Sequence, residues 1–399
     1  MSRGAMSRGA MSRGAMSRAD EVYVVGCGMH PFGRDESVTG MEMAERAVRA
    51  ALADAGVAWE DIGYAAGGSD VSGKPDALVG RLGLTGVPFV NVQNGCATGA
   101  STVLAVANAL RAGEASLGLA VGFDKHERGA FHVSAARYGL GDWYAETGMM
   151  LTTQFFALKT QRYLYEHGIS ERALAMVAER AFRNGARHPL AWRRKPLTER
   201  EILEAAEVSP PLTQYMFCSP GQGAAALVLA LGDRAFDLCE RPVRLASLAF
   251  RTRRFGSFEV FSPWLPPGPH RSPSVDAAEA AFRTAGVRPA DVRVAQLQDT
   301  DSGSELVHLA ETGLCGHGEQ EELLAAGDTD PTGRIPVNTD GGCLAGGEPV
   351  GASGLRQFHE VVRQLQGRAP GVQVPGAPRV GFTHVYGAPG ISACSVLTV

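Results

Sequence analysis

Nowhere in this 399-residue chain does an apolar run reach the ~20 residues needed to cross a bilayer, which excludes a membrane-spanning helix and predicts a soluble protein. Neither sign of charge dominates. With 38 Lys and Arg against 42 Asp and Glu, the formal net charge is −4, and no basic stripe marks a nucleic-acid partner. Arg251, Arg253 and Arg254 make one local basic cluster, suited to a phosphate or to plain solvation. The seven cysteines (27, 96, 218, 239, 315, 343 and 394) contain no C-x-x-C pair, and an odd count argues against a disulfide framework, so a reducing cytoplasm is the expected compartment. His126, His132, His188, His308, His317 and His359 show no metal-ligand spacing, and no metal is expected. A dinucleotide fingerprint is missing too, because Pro31 stands where a third glycine would have to follow Gly26 and Gly28.

What is present is a rhythm of strands and helices. Strands are expected at residues 22–25, 62–66, 89–92, 117–121 and 223–231, with helices at 41–55 and from Cys96 to 111. A second round begins at 243: a strand to 250, a helix at 274–285, a strand at 292–297, helices from 303 and at 351–365, and closing strands at 379–382 and 391–398. Strands alternating with helices predict βαβ units and a largely parallel sheet. Between them, residues 124–212 read as an inserted helical lid, in which Tyr138, Trp143 and Tyr144 are candidates to line a substrate tunnel or to form lid core. The division expected is a tail over residues 1–19, a first half over 20–240 and a second half over 241–399. The tail repeats MSRGA three times without an apolar core or an amphipathic face, so disorder is expected there.

The stretch NVQNGCATGASTVLAVANALR, residues 91–111, organises the rest. A sharp turn through Gly95 and Cys96 leads into a helix whose first turn, Ala97 to Ser101, is built of small residues. The unpaired N–H groups at that N-terminus favour a thiolate, which predicts a more acidic cysteine and a candidate nucleophile.

NGCATG followed by a helix and then GFDKHERG resembles the thiolase superfamily, in particular its sterol-carrier-protein-2-type, lipid-transfer-protein-like branch. VYVVGCGMHPFGR, PLTQYMFCSPGQGAAALVLA, NTDGGCLAGGEPVGASG and THVYGAPG carry the same resemblance, in order, over residues 22–399. It implies the thiolase fold: two similar α/β halves packed as helix, sheet, helix, sheet and helix. It also implies a homodimer, a coenzyme A or carrier-protein thioester as substrate with no permanently bound cofactor, and Cys96 as the acyl-accepting nucleophile.

The chain departs from the pattern where the chemistry should lie. Glu348 stands at the histidine of the GHP motif, and a carboxylate cannot donate to an oxyanion and raises the pKa of a nearby thiol. His384 fits the base position of the histidine loop, although Val385 and Pro389 depart from it, and Gln298 and Asp299 occupy the His-Asp motif. Cys96, His384 and Glu348 are therefore expected to act as nucleophile, base and orienting carboxylate. The backbone of Cys96 and of Tyr386 and Gly387 would bind the oxyanion, Gln298 and Asp299 would support the site, and Trp143 and Tyr144 would meet substrate. Asp340, Asn338 and Ser353 are expected to shape the Glu348 turn, and Cys343 to be a small buried residue. The expected activity is acyl transfer from the thioester through Cys96 to an acceptor, in a specialised pathway. Two other readings stay open: a retro-aldol lyase working with a small zinc-ribbon and OB-fold partner, in which His384, Glu348 or Tyr386 is the base, and a non-catalytic subunit.

Overall fold

A computed structural model describes residues 17–131, 133–262 and 271–399; residues 1–16 of the expected tail, and His132, lie outside them. Nine strands form one continuous sheet: β1 (Val22–Gly33), β2 (Tyr64–Gly68), β3 (Phe89–Val92), β4 (Leu117–Lys125), β5 (Gln222–Leu231), β6 (Val243–Thr252), β7 (Val294–Leu297), β8 (Val380–Gly387) and β9 (Ile391–Thr398). Their order is β3-β2-β4-β5-β1-β6-β9-β8-β7. Each half repeats one plan. In the first, β2 runs parallel to β3 and β4, while β4, β5 and β1 follow antiparallel. In the second, β7 runs parallel to β8, and β8, β9 and β6 follow antiparallel, with a single parallel bridge from Ala295 to Val337 standing where the counterpart of β3 would lie. The halves join where Tyr23 and Val24 of β1 pair with Arg244 and Val243 of β6.

The principal helices are α1 (Gly40–Ala55), α2 (Thr98–Arg111), α3 (Thr152–His167), α4 (Glu171–Ala186), α5 (Pro273–Ala285), α6 (Ser302–Glu311) and α7 (Val350–Gln366). Each covers the sheet with the stripe its sequence supplies. Met43, Ala47 and Ala51 of α1 pack on Leu119, Val121 and Val228 outside the first half. Ala281 and Phe282 of α5 pack on Phe382 and Val396 outside the second. Between the halves lie α2 and α7, with Val103, Val106 and Leu110 against Leu355, Phe358 and Val361. The result is the five-layer thiolase arrangement. The inner pair is close because Gly99 leaves no room for a side chain: a Cβ there would lie 2.6 Å from the backbone nitrogen of Leu355. The insertion between β4 and β5 carries α3 and α4 and has its own core, where Phe155, Phe156, Leu174 and Phe182 meet Leu306, Leu344 and Tyr386.

Several strands run further than expected, β1 and β8 the most. In β1 the strand expected at 22–25 continues to Gly33, with Gly26 and Gly28 too close to α1 for any side chain. In β8 the expected strand at 379–382 continues to Gly387, so the segment read as a histidine loop is pleated. That second extension decides the geometry of the site.

Candidate active site

Cys96 sits where the chain turns from β3 into α2. Gly95 takes φ +55°, and the N–H of Ala97 and of Thr98 bond back to Asn94 and Gly95 at 3.1 and 3.0 Å. The Thr98 hydroxyl accepts from the Asn94 N–H at 2.8 Å, locking the turn. Cys96 keeps part of its surface exposed, whereas the helix behind it is largely buried.

Glu348 comes from the turn between the short helix Gly342–Gly346 and α7, fixed by its N–H on the Ser219 carbonyl (2.9 Å) and by its own carbonyl, which accepts from Gly221 (3.1 Å). Its fully buried carboxylate is held by donors. Gln298 Nε2 reaches both oxygens at 2.9 and 2.8 Å, Ser353 Oγ reaches Oε1 at 3.1 Å, and Cys218 Sγ lies 3.7 Å from Oε2. The charge of this carboxylate also acts on the Cys96 thiol. Burial, then the charge of Glu348, pushes the Cys96 thiol well above its ordinary pKa. The expected acidification at a helix N-terminus is therefore reversed, since desolvation and a contacting carboxylate outweigh the partial charge of the helix end. Cys218 and Cys343 are pushed well up by the same causes in the same order.

The supporting residues are where the motif places them. Asp299 accepts from the backbone of Cys343 (2.7 Å) and Leu344 (3.2 Å), anchoring the short helix that leads to Glu348, and burial pushes its carboxyl up to about 8. Gln298 reaches Glu348 directly, and its carbonyl accepts from His308 Nδ1 at 2.8 Å.

His384 is not brought to Cys96. In a pleated strand, alternate side chains take opposite faces. Gly381 and Val385 of β8 face the inner layer with α2 and α7, while Phe382, His384 and Tyr386 face outward. His384 Nε2 pairs with Ser274 Oγ at 2.9 Å, its ring lies 4.3 Å from that of His308, and its Nδ1 is buried without a partner among the described residues. Burial, helped by His308 and Lys159, holds this imidazole well below its ordinary pKa, hence neutral. The expected Cys96, His384 and Glu348 triad is not assembled. Val385 occupies the inward position.

Tyr386 also faces outward, its hydroxyl donating to Glu259 at 2.6 Å. The backbone of the strand end does meet the turn: a Cβ on Gly387 would lie 2.6 Å from the Asn94 carbonyl and 2.8 Å from the Ala97 nitrogen. Trp143 is 58% exposed, and Tyr144 is buried in the core of the insertion. Tyr138 is the lid aromatic that feels the Cys96 thiol, and it stacks on Phe261 with ring centroids 4.6 Å apart. Cys218 was not foreseen, since only the fold brings its loop against Glu348.

The folded site matches the family models for the N-terminal domain of thiolase, over residues 22–193, and the thiolase C-terminal domain-like region, over residues 269–398. Sterol carrier protein 2 of Gallus gallus is 30% identical over 382 residues, which cover 90% of this chain and 68% of the relative. The chain belongs to the thiolase superfamily. The benzoylsuccinyl-CoA thiolase subunit BbsB of Thauera aromatica is 28% identical over 380 residues, covering 92% of this chain and 94% of the relative. Among solved structures, the Ltp2-ChsH2(DUF35) aldolase superposes with a TM-score of 0.84 at 22% identity, covering 96% of this chain and 99% of that one, a likeness of fold. In this thiolase-superfamily chain the inward ring of the site is thus Cys96, Gln298, Glu348 and Val385. These side chains are thiol, amide, carboxylate and alkyl groups.

Proposed function

We propose that this protein cleaves, or in reverse forms, a carbon–carbon bond in a β-hydroxyacyl thioester by retro-aldol chemistry, with Glu348 as general base and Cys96 as proton donor. The observation that carries this reading is the buried Glu348 carboxylate facing the Cys96 thiol, which it holds protonated, at a site from which His384 is turned away. Glu348 takes the proton of the β-hydroxyl, the bond between the α and β carbons breaks, and the β carbon leaves as an aldehyde or ketone. The electron pair passes to the α carbon as the enolate of the shortened thioester. The Cys96 thiol protonates that carbon, and protonated Glu348 returns the proton to sulfur. The backbone at Cys96 and Gly387 would bind the thioester oxygen. Covalent acylation of Cys96 would instead need a thiolate, which this carboxylate disfavours.

Acyl transfer through Cys96 remains the second reading, favoured by the part-exposed sulfur in its turn against Gly387. Coenzyme A is the thioester carrier we infer, since a relative is named for benzoylsuccinyl-CoA. A small DUF35-type partner is inferred from the named assembly of the aldolase with the same fold. A homodimer is inferred from β3, an edge strand with Val90 41% exposed and Leu84 nearby 84% exposed.

The test is incubation with a panel of 3-hydroxyacyl-CoA thioesters, with and without a DUF35-type partner, followed by mass spectrometry of small molecules and intact protein. Release of a carbonyl compound and a shortened acyl-CoA, lost in Glu348→Gln, is the expected result. An acyl adduct absent from Cys96→Ala, without carbonyl release, would replace this reading by acyl transfer.

A further inference from the structure

Glu348 is a fully buried carboxylate, and cysteines from three segments feel its charge. Cys96 faces it from the α2 turn, Cys218 from the loop before β5, and Cys343 from the short helix. Behind these, Asp299 acts on Cys218 and Cys343, Arg193 on Cys218, and Arg356 on Cys343. Arg193 and Arg356 are committed elsewhere: Arg193 to Leu344 O and Ser219 Oγ, and Arg356 to Asp340 and to Gln296 at 3.0 Å. The charge of Glu348 is therefore carried by neutral donors: Gln298 Nε2, Ser353 Oγ and the Cys218 thiol. A carboxylate out of water stays ionised only as long as such donors reach it.

Two of the thiols differ in access. Cys96 keeps exposed surface, whereas Cys218 is 4% exposed, its N–H on the Thr300 carbonyl at 2.8 Å and its sulfur 3.7 Å from Oε2. The Thr300 carbonyl belongs to the loop that follows Gln298, so the backbone bond that places Cys218 ties it to the Gln298 segment. Cys96 stands on the open side of the carboxylate, and Cys218 on the closed side.

We infer that Cys218 is a positioning residue for Glu348: its S–H, donated to Oε2 from the protein side, aims the carboxylate at the substrate. The inference rests on Glu348 being the base of the reaction proposed above. Removing this donor leaves Oε2 short of a partner and frees the carboxylate to turn. Serine supplies a donor of the same kind in a similar volume and restores it.

The experiment compares wild type, Cys218→Ala and Cys218→Ser in two ways. The first is kcat and KM with a 3-hydroxyacyl-CoA substrate, where Cys218→Ala is expected to lose kcat by roughly three- to tenfold with KM unchanged, and Cys218→Ser to stay with wild type. The second needs no turnover: the infrared band of the Glu348 side chain, identified by its loss in Glu348→Gln, is expected to shift in Cys218→Ala and to return in Cys218→Ser. An unmoved infrared band in a folded Cys218→Ala protein would overturn the role of Cys218. A moved band without any lyase activity would leave that role standing and reject the base assigned in the proposed reaction.

Discussion

Val385 and His384 are neighbours on one strand and belong to different environments: Val385 packs in the inner layer with the Cys96 helix, while His384 bonds Ser274 on the outer side. The consequence is testable. His384→Asn should leave turnover within roughly threefold of wild type, because it removes a neutral imidazole outside the inward ring, whereas loss of a general base costs about 10²–10⁴-fold. A fall of that larger size in His384→Asn, with the fold intact by circular dichroism, would return His384 to the chemistry.

Glu348→Gln separates the two effects of the carboxylate. Turnover should fall about 10²–10⁴-fold, since the base is gone. Cys96 should at the same time become easier to alkylate at neutral pH, because the charge that holds its thiol protonated has been removed. Iodoacetamide kinetics, read by mass spectrometry at Cys96, check the second half. Slower alkylation would show that Glu348 activates the thiol instead of suppressing it.

Much of this was legible in the sequence, and the misses have one cause. The motif order gave the halves, the turn at Cys96 and the Glu348 replacement, because each is local and carried by glycines or a helix start. The face taken by His384 was not legible, since THVYG reads as a loop when glycine and valine are judged one by one, and only pairing with β9 and β7 makes it a pleated strand. The same holds for Cys218, which lies 130 positions from Glu348 and meets it only in the fold. Tyr138, the lid aromatic near Cys96, could not be ranked above Trp143 and Tyr144 by composition.

Asp299 supplies a prediction about stability. Burial raises its carboxyl from 3.8 to about 8 in the folded chain, so the native state holds a proton that the unfolded chain releases near pH 4. The native state then binds more protons than the unfolded one between those limits, and the linkage slope is negative. Its contribution is fully present below pH 4 and is lost as pH rises through about 8. Asp299→Asn imitates the protonated form and should flatten this loss. Urea unfolding at pH 6, 7 and 9 would show it, and parallel curves for the two proteins would mean that Asp299 does not titrate in this range.

Gly99 tests whether the contact between the halves holds the site together. A Cβ there would fall 2.6 Å from the Leu355 nitrogen and 3.1 Å from the Gly354 carbonyl carbon, both backbone atoms that cannot rotate away. Gly99→Val must therefore push α2 from α7, at a cost of about 1–3 kcal/mol or more for an overpacked core. Cys96 lies just ahead of α2 and Glu348 just ahead of α7, so the same displacement pulls the thiol from its carboxylate. The expected signature is a lowered melting temperature together with faster Cys96 alkylation, as in Glu348→Gln. Alanine, with the smallest side chain that still has a Cβ, should give the same pair of changes at smaller size. Destabilisation without any change at Cys96 would mean that the pairing of Cys96 with Glu348 is held by the Ser219 and Gly221 backbone contacts alone.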